Sequence, residues 1–119
     1  MPTIAVNRDG VVAVLWYEQE SPETASYRVR VSASSDGGMT WAAAMDVSAA
    51  PNDQRQQRPA VRAPVNAGGY APEPGTFSAT GGDTAGLVAD TEGRFHAAWI
   101  DNRTGVQQVW TAIVTVSQR

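Results

Sequence analysis

The sequence has no cysteine, and all nine of its basic residues are arginine. Without cysteine the chain has no disulfide framework, no thiolate metal site and no cysteine nucleophile. Its single histidine, His96, has no second histidine or cysteine with which to share a metal ion. We therefore predict neither a metal site nor a cofactor.

Long apolar runs and an excess of positive charge are also missing. No segment approaches the roughly 20 consecutive apolar residues that a membrane helix requires, so we expect no membrane partner. The net charge is -3, whereas proteins that neutralise a phosphate backbone carry a surplus of basic residues, so nucleic acid is not an expected partner. The first residues show no basic segment followed by an apolar one, and no export signal is predicted in them.

The first part of the chain contains a series of short segments typical of β-strands. Residues 3–8 lead to Asp9-Gly10, a dipeptide typical of tight hairpins. Residues 11–17 are apolar at almost every position, which indicates a strand covered on both faces. Residues 27–34 alternate between apolar and polar side chains, as a strand nearer a sheet edge does. Residues 41–47 are predicted to form a weaker fourth, outer strand.

The last part of the chain repeats the first. Aligning Gly10 with Gly93 also aligns Trp16 with Trp99, because both pairs are 83 residues apart. The three strands expected in this second repeat are residues 86–90, 94–100 and 106–116. A fourth, outer strand is missing.

These patterns divide the chain into three parts. We expect residues 1–48 to form a first sheet and residues 86–119 to form a second one with three strands. Residues 49–85 connect them and hold five of the seven prolines, so they cannot form one long helix. One short strand is expected in the connection, at residues 76–79. No segment has sustained helical periodicity, and the predicted fold class is all-β.

Residues 34–41, Ser-Ser-Asp-Gly-Gly-Met-Thr-Trp, fit the pattern Ser-x-Asp-x-Gly-x-Thr-Trp, which resembles the Asp box of bacterial neuraminidase repeats. The Asp36 carboxylate can accept hydrogen bonds from turn amides, and Gly38 can adopt a positive φ. Trp41 can supply an apolar anchor. Thr40 can close the turn by a bond from its side chain to the backbone. We interpret the box as structural, with a catalytic acid role for Asp36 as the alternative. The defining residues are Ser34, Asp36, Gly38, Thr40 and Trp41.

The resemblance extends to residues 82–87, 95–103 and 106–112, which look like the closing blade of secreted bacterial sialidase-like proteins. It implies two blades of a six-bladed β-propeller and an extracellular or periplasmic location. Known members of the family include exo-sialidases, which are glycoside hydrolases that release terminal sialic acid. Asp boxes also occur in propellers without glycosidase activity, including sorting receptors and assembly factors. The motif therefore implies a fold before it implies a reaction.

The candidate catalytic residues are Asp101, Arg103 and Tyr70. The resemblance implies a sialidase site with an arginine cluster for the substrate carboxylate, a tyrosine nucleophile polarised by a glutamate, and an aspartate acid/base. Asp101 and Arg103 follow a predicted strand end, where they either face a cleft or pair with each other across the turn. Tyr70 either stacks on a sugar or anchors the connection. No arginine can be placed on the family's triad, and its Arg-Ile-Pro signature is not found, so we predict that the isolated chain is not catalytic.

Two blades are too few to cover their own apolar faces. The leading hypothesis is a structural or ligand-binding propeller segment that oligomerises, three copies supplying six blades, or that is completed by the remaining blades of a longer protein. One alternative is part of an exo-sialidase. Another is a carbohydrate-binding propeller without hydrolysis, in which Tyr70 or the tryptophans stack on a glycan ligand.

Overall fold

The computed structural model describes residues 2–21, 26–48, 52–53, 85–101, 103–104 and 108–117. These residues form two antiparallel sheets and contain no helix, which confirms the all-β class. No helix of this described part is therefore long and apolar enough to cross a bilayer. Tyr70 and the strand predicted at residues 76–79 lie outside the described residues.

The first sheet has the strand order β1-β2-β3-β4, and β5 pairs with β3 further along the same edge. Its strands are β1 (Thr3–Val6), β2 (Val12–Gln19), β3 (Ser26–Ser34), β4 (Met45–Asp46) and β5 (Asn52–Asp53). The second sheet has the order β6-β7-β8. Its strands are β6 (Gly86–Ala89), β7 (Phe95–Asp101) and β8 (Gln108–Val114). The six longer strands lie where the sequence predicts strands.

The outer edge of the first sheet differs from the prediction. The strand expected at residues 41–47 is reduced to the two residues of β4, since the alanines at 42–44 have little strand preference. The Arg30 guanidinium donates a hydrogen bond to the carbonyl of Ala44 at 2.8 Å. A side chain thus binds a carbonyl that a longer strand would use for backbone pairing. The edge is continued by β5, which lies in the segment expected to be a connection.

The two hairpins, β1–β2 and β6–β7, have the same register. Val6 pairs with Val12 in the first hairpin, and Ala89 pairs with Phe95, 83 residues later, in the second. The Asn7 Oδ1 atom accepts hydrogen bonds from the amides two and four residues later, at 3.0 and 2.9 Å. In the second hairpin, Asp90 Oδ1 accepts hydrogen bonds from the backbone amides of Glu92 and Arg94, both at 2.9 Å. The repeat is therefore present in the backbone as well as in the sequence.

The two sheets pack face to face, and β1 lies beside β6. Their shared core consists of buried apolar side chains from both sheets. These are Val11, Ala13, Leu15, Val29 and Val31 from the first sheet, and Leu87, Phe95, Ala97 and Trp99 from the second. The buried residues of β3 are those that the alternating pattern predicts, with Tyr27, Val29 and Val31 facing inward.

Within this single chain β2 is covered on one face only, which corrects the prediction of two covered faces. Ala13 and Leu15 are fully buried. Val12, Val14 and Trp16 point to the opposite side and are only half-buried, because no described element lies over them. The apolar second face of β2 thus remains partly open to solvent.

Candidate functional site

The two ends of the stacked sheets carry different chemistry. At one end, the Asn7 side-chain amide donates to the carbonyl of Gly93 at 2.8 Å, which joins the two hairpin turns. The Asp-box turn lies at the same end, because Ser34 pairs with Val12. At the other end, the backbone amide of Ile100 donates to the Tyr17 hydroxyl at 3.3 Å. We name these the hairpin end and the tyrosine end.

The Asp box forms a closed hydrogen-bonded turn at the hairpin end. Asp36 Oδ1 accepts from the Thr40 amide at 2.9 Å, and Oδ2 accepts from the Thr40 hydroxyl at 2.5 Å. The Ser34 hydroxyl donates to Asp36 Oδ1 at 2.7 Å and accepts from the Gly38 amide at 2.8 Å. Gly38 has a φ of 94°, in the region that favours glycine. Every one of these bonds stabilises the turn itself.

The electrostatics of this turn oppose an acid role for Asp36. The hydrogen bonds from the Thr40 hydroxyl, the Thr40 amide and the Ser34 hydroxyl lower the pKa of Asp36 to about 2. Such a carboxyl group is ionised at neutral pH and holds no proton to donate. The Trp41 indole donates to the carbonyl of Gly38 at 3.1 Å. Trp41 is 45% exposed and does not belong to the core.

The candidate residues Asp101 and Arg103 are in direct contact at the tyrosine end. Asp101 is fully buried. Its Oδ1 accepts from the Arg103 amide at 2.8 Å, and its Oδ2 accepts from the Arg103 Nε at 2.7 Å and also from Nη2. The Arg103 guanidinium lies over the Trp110 ring, 4.4 Å from its centre. The structure thus brings the acid and the arginine together, but places the carboxylate where no solvent-borne substrate reaches it.

Two tyrosines adjoin this ion pair. The rings of Tyr17 and Tyr27 meet edge to face, with their centres 5.5 Å apart. Burial is the main cause that raises the pKa of Tyr27 to about 12, and the neighbouring Tyr17 and Asp101 contribute to this increase. Its phenol therefore stays protonated at neutral pH and is not an activated nucleophile. Sequence reasoning treated both tyrosines as strand residues only, although Tyr17 follows Trp16 at a predicted strand end.

An ion-pair network, also not predicted, covers the outer part of the first sheet at the same end. Arg28 contacts Glu20 at 2.5 Å and Asp46 at 3.0 Å. Arg30 contacts Glu18 at 2.9 Å and Asp46 at 3.1 Å. These side chains border a shallow, open depression. Because each arginine has a carboxylate partner, the depression offers no uncompensated positive charge to an anionic ligand.

The histidine lies on β7, on the side away from the shared core. His96 Nε2 is 2.8 Å from Asp90 Oδ2, and Arg94 Nε donates to the same oxygen at 2.8 Å. The His96 contact, together with the backbone and side chain of Arg94, holds the pKa of Asp90 well below its usual range. Among the described residues, no three His, Cys, Asp or Glu side chains are arranged to hold a metal ion.

The arginines of the described ranges share one property that matters for substrate binding. Each lies within ion-pair distance of a carboxylate. These residues are Arg8, Arg28, Arg30, Arg94 and Arg103.

Comparisons with protein-family models, with curated proteins and with solved structures found no match for this chain. The resemblance to sialidase-like propellers therefore remains an expectation from the sequence, based on the Asp box and on residues 82–87, 95–103 and 106–112.

Proposed function

We propose that this chain is a structural segment of a sialidase-like β-propeller, comprising two consecutive blades, and that it is not catalytic by itself. The proposal includes the extracellular or periplasmic location that the resemblance implies. The observation that supports two consecutive blades is the way in which the two repeats stack. The core-facing side of the second sheet contains Phe95 and Trp99, and the residues 83 positions earlier, Val12 and Trp16, are on the open side of the first sheet.

This stacking allows further sheets to be added on either side. Two repeats related by a two-fold axis would bury the same face of each sheet, so no copy of that face would be left to bind a further sheet. Here opposite faces meet, since Leu15 of the first sheet is buried whereas Ala98, its counterpart, is on the open side of the second. Radial repetition of such sheets is the construction principle of propellers.

The position of the Asp box agrees with the proposal. In the families that the motif resembles, the box occupies the turn between the third and fourth strands of a blade. Residues 35–44 connect β3 to β4, the third and fourth strands of the first sheet. All of the hydrogen bonds around Asp36 serve that turn.

A purely structural role is favoured over hydrolysis by the state of the candidate groups. The Asp101 carboxylate is buried against Arg103. Tyr27 has a raised pKa, the opposite of what activates a tyrosine nucleophile. We expect a fluorogenic sialoside incubated with the chain to give no more product than it gives with the heat-denatured chain. Hydrolysis that disappears in an Arg103→Ala variant that remains folded would contradict the proposal.

The blade arrangement has its own test, which does not depend on activity. Nuclear magnetic resonance spectra should show proximity between the Tyr17 ring and the Ile100 amide, and between the Asn7 side-chain amide and the Gly93 backbone. Both contacts join the two sheets across the repeat. Their absence in the folded protein would remove the proposed stacking.

The exposed ring of Trp41 favours a second candidate function, carbohydrate binding without hydrolysis. Aromatic rings with an open face present the apolar body on which a sugar can stack. Glycan-array binding that is lost in Trp41→Ala and kept in Met39→Ala, a matched change in the same turn, would support this function. If no glycan binds, only the structural role remains.

A further inference from the structure

Each sheet has one largely apolar face that nothing in the described chain covers. The open face of the first sheet contains Ile4, Val6, Val12, Val14 and Trp16. Ile4 and Val6 are 63% and 58% exposed. The open face of the second sheet contains Val88, His96, Ala98, Ile100, Val109 and Ile113. Val88 and Val109 are 62% and 72% exposed. These two faces lie on opposite sides of the molecule, since the sheets bury their other faces against each other.

The contact between the two sheets within the chain indicates what would fit the first open face. The counterparts of Ile4, Val12, Val14 and Trp16 in the second repeat are Leu87, Phe95, Ala97 and Trp99. These four counterparts are at most 6% exposed, because they pack on the inner face of the first sheet. A surface that resembles that inner face would therefore bury the first open face in the same way.

The second open face resembles it in position and, away from the hairpin end, in chemistry. Val88, Ala98 and Ile100 are the counterparts of Ala5, Leu15 and Tyr17, which line the inner face of the first sheet. All three are apolar, whereas the counterparts of Val11 and Ala13 are Arg94 and His96, which both contact Asp90 at the hairpin end. One copy of the chain thus carries both halves of a contact whose geometry the chain already contains.

The distribution of charge is compatible with this contact. The apolar residues of the first open face occupy β1 and β2, and the paired charges of Arg28, Arg30 and Asp46 lie further out on β3 and β4. An apolar centre with a polar rim is the usual anatomy of a protein interface.

We propose that the first open face of one copy binds the second open face of another, so that the chains associate head to tail. The proposal rests on the proposed function, because it extends the stacking of the two repeats to further copies. A contact between two different faces closes into a ring when its rotation permits. Three copies would supply six blades, within the range of known propellers.

The first test is the mass of the particle in solution. Light scattering coupled to size exclusion should give three times the 12.6 kDa of one chain. A folded particle with the mass of one chain over the whole accessible concentration range would overturn the proposal. If the contacts of Tyr17 with Ile100 and of Asn7 with Gly93 persist in that particle, the two-blade function survives; if they are absent, both proposals fail.

The second test uses one charged substitution on each open face. Ile4→Arg changes the first face and Val88→Arg the second, and both sites are more than half exposed, so the fold of the single chain should tolerate the change. Met39→Arg, at a residue that is 83% exposed in the Asp-box turn, is the matched control. Circular dichroism and urea unfolding establish that each variant is folded.

We expect either face variant alone to remain at the mass of one chain, and the control to assemble as the unchanged chain does. An equimolar mixture of the two face variants should form particles of two chains, because each variant keeps the face that the other lacks. A mixture that stays at the mass of one chain, or a face variant that still assembles alone, would overturn the head-to-tail contact.

Discussion

The side-chain amide of Asn7 donates a 2.8 Å hydrogen bond to the carbonyl of Gly93, and so links two turns that have the same internal bonds. Asn7 is 8% exposed, and its Oδ1 atom accepts from two backbone amides of its own turn. The residue thus shapes the first turn and joins the first sheet to the second. Asp90 is the counterpart of Asn7, and the two amide bonds that its Oδ1 atom accepts lie within the second turn.

The substitution Asn7→Ala should destabilise the protein more than Asp90→Ala. Both changes remove two bonds to turn amides, but only the first also leaves the Gly93 carbonyl without its side-chain donor. We expect Asn7→Ala to lower the free energy of unfolding by about 1–3 kcal/mol. Asp90→Ala also removes the contacts of Asp90 with Arg94 and His96, so the comparison is made at high salt, which screens these partly exposed pairs. Equal losses in urea unfolding would show that the link between the sheets adds nothing.

Gly10 and Gly93 form a second matched pair. Their φ angles are 80° and 85°, so alanine at either position adopts a left-handed backbone at a cost of about 1–2 kcal/mol. A Cβ at Gly10 meets nothing within 4 Å, whereas a Cβ at Gly93 would lie 2.8 Å from Asp9 Oδ2. Asp9 Oδ2 is the end of a flexible, half-exposed side chain that can turn away, so Gly93→Ala should be only slightly more destabilising than Gly10→Ala. In an Asp9→Ala background, Gly10→Ala and Gly93→Ala should lower the free energy of unfolding equally. If Gly93→Ala still costs more there, the contact with Asp9 is not the cause of the difference.

The Asp box should contribute a pH-dependent part of the stability. The pKa of Asp36 is lowered in the folded chain from its ordinary value of 3.8 to about 2. A carboxyl group with a depressed folded pKa stabilises the fold above its unfolded pKa, and that stabilisation is lost as the pH falls from about 4 to about 2. Thr40→Val removes the hydroxyl bond that is the largest cause of the shift.

We expect the difference in unfolding free energy between the unchanged chain and Thr40→Val to shrink as the pH falls through that window. Asp90 also has a lowered pKa, but it is present in both proteins and cancels in the comparison. Urea unfolding at several pH values between 6 and 2 measures the difference. A difference that does not vary with pH would separate Thr40 from the titration of Asp36.

The hairpins could be predicted from the sequence because their signals are local. Asp9-Gly10 and Glu92-Gly93 place glycine where the turn needs a positive φ, and apolar strands adjoin both turns. The 83-residue repeat then relates the two sheets. The Asp-box turn has the same local character, since its bonds join residues at most four positions apart.

The parts that could not be predicted depend on register or on distant segments. The contacts of Arg28 with Glu20 and of Arg30 with Glu18 arise because β2 and β3 pair with Glu18 opposite Arg28. Register follows from the connecting loop as well as from the apolar pattern, so it is not visible in either strand alone. The contact of Tyr17 with Ile100 requires the stacking of two sheets that are distant in sequence.

The pair Asp101 and Arg103 gives the sharpest distinction between a structural and a catalytic interpretation. Arg103→Ala leaves the fully buried Asp101 carboxylate without its main cationic partner. Removing one member of a buried ion pair typically costs about 3–5 kcal/mol, so we expect a large loss of stability in urea unfolding. Asp101→Asn combined with Arg103→Leu removes both charges together, and should recover a substantial part of that loss.

A catalytic pair would behave differently in the same series. If Arg103 served a substrate, its removal would change activity or ligand binding while the free energy of unfolding changed little. If the pair stabilises the tyrosine end, the double variant must be more stable than Arg103→Ala, because the buried charge that made the single change costly is gone. A double variant less stable than Arg103→Ala would mean that the Asp101 carboxylate finds sufficient stabilisation without Arg103, from the Trp99 indole that donates to it at 3.3 Å and from its other neighbours.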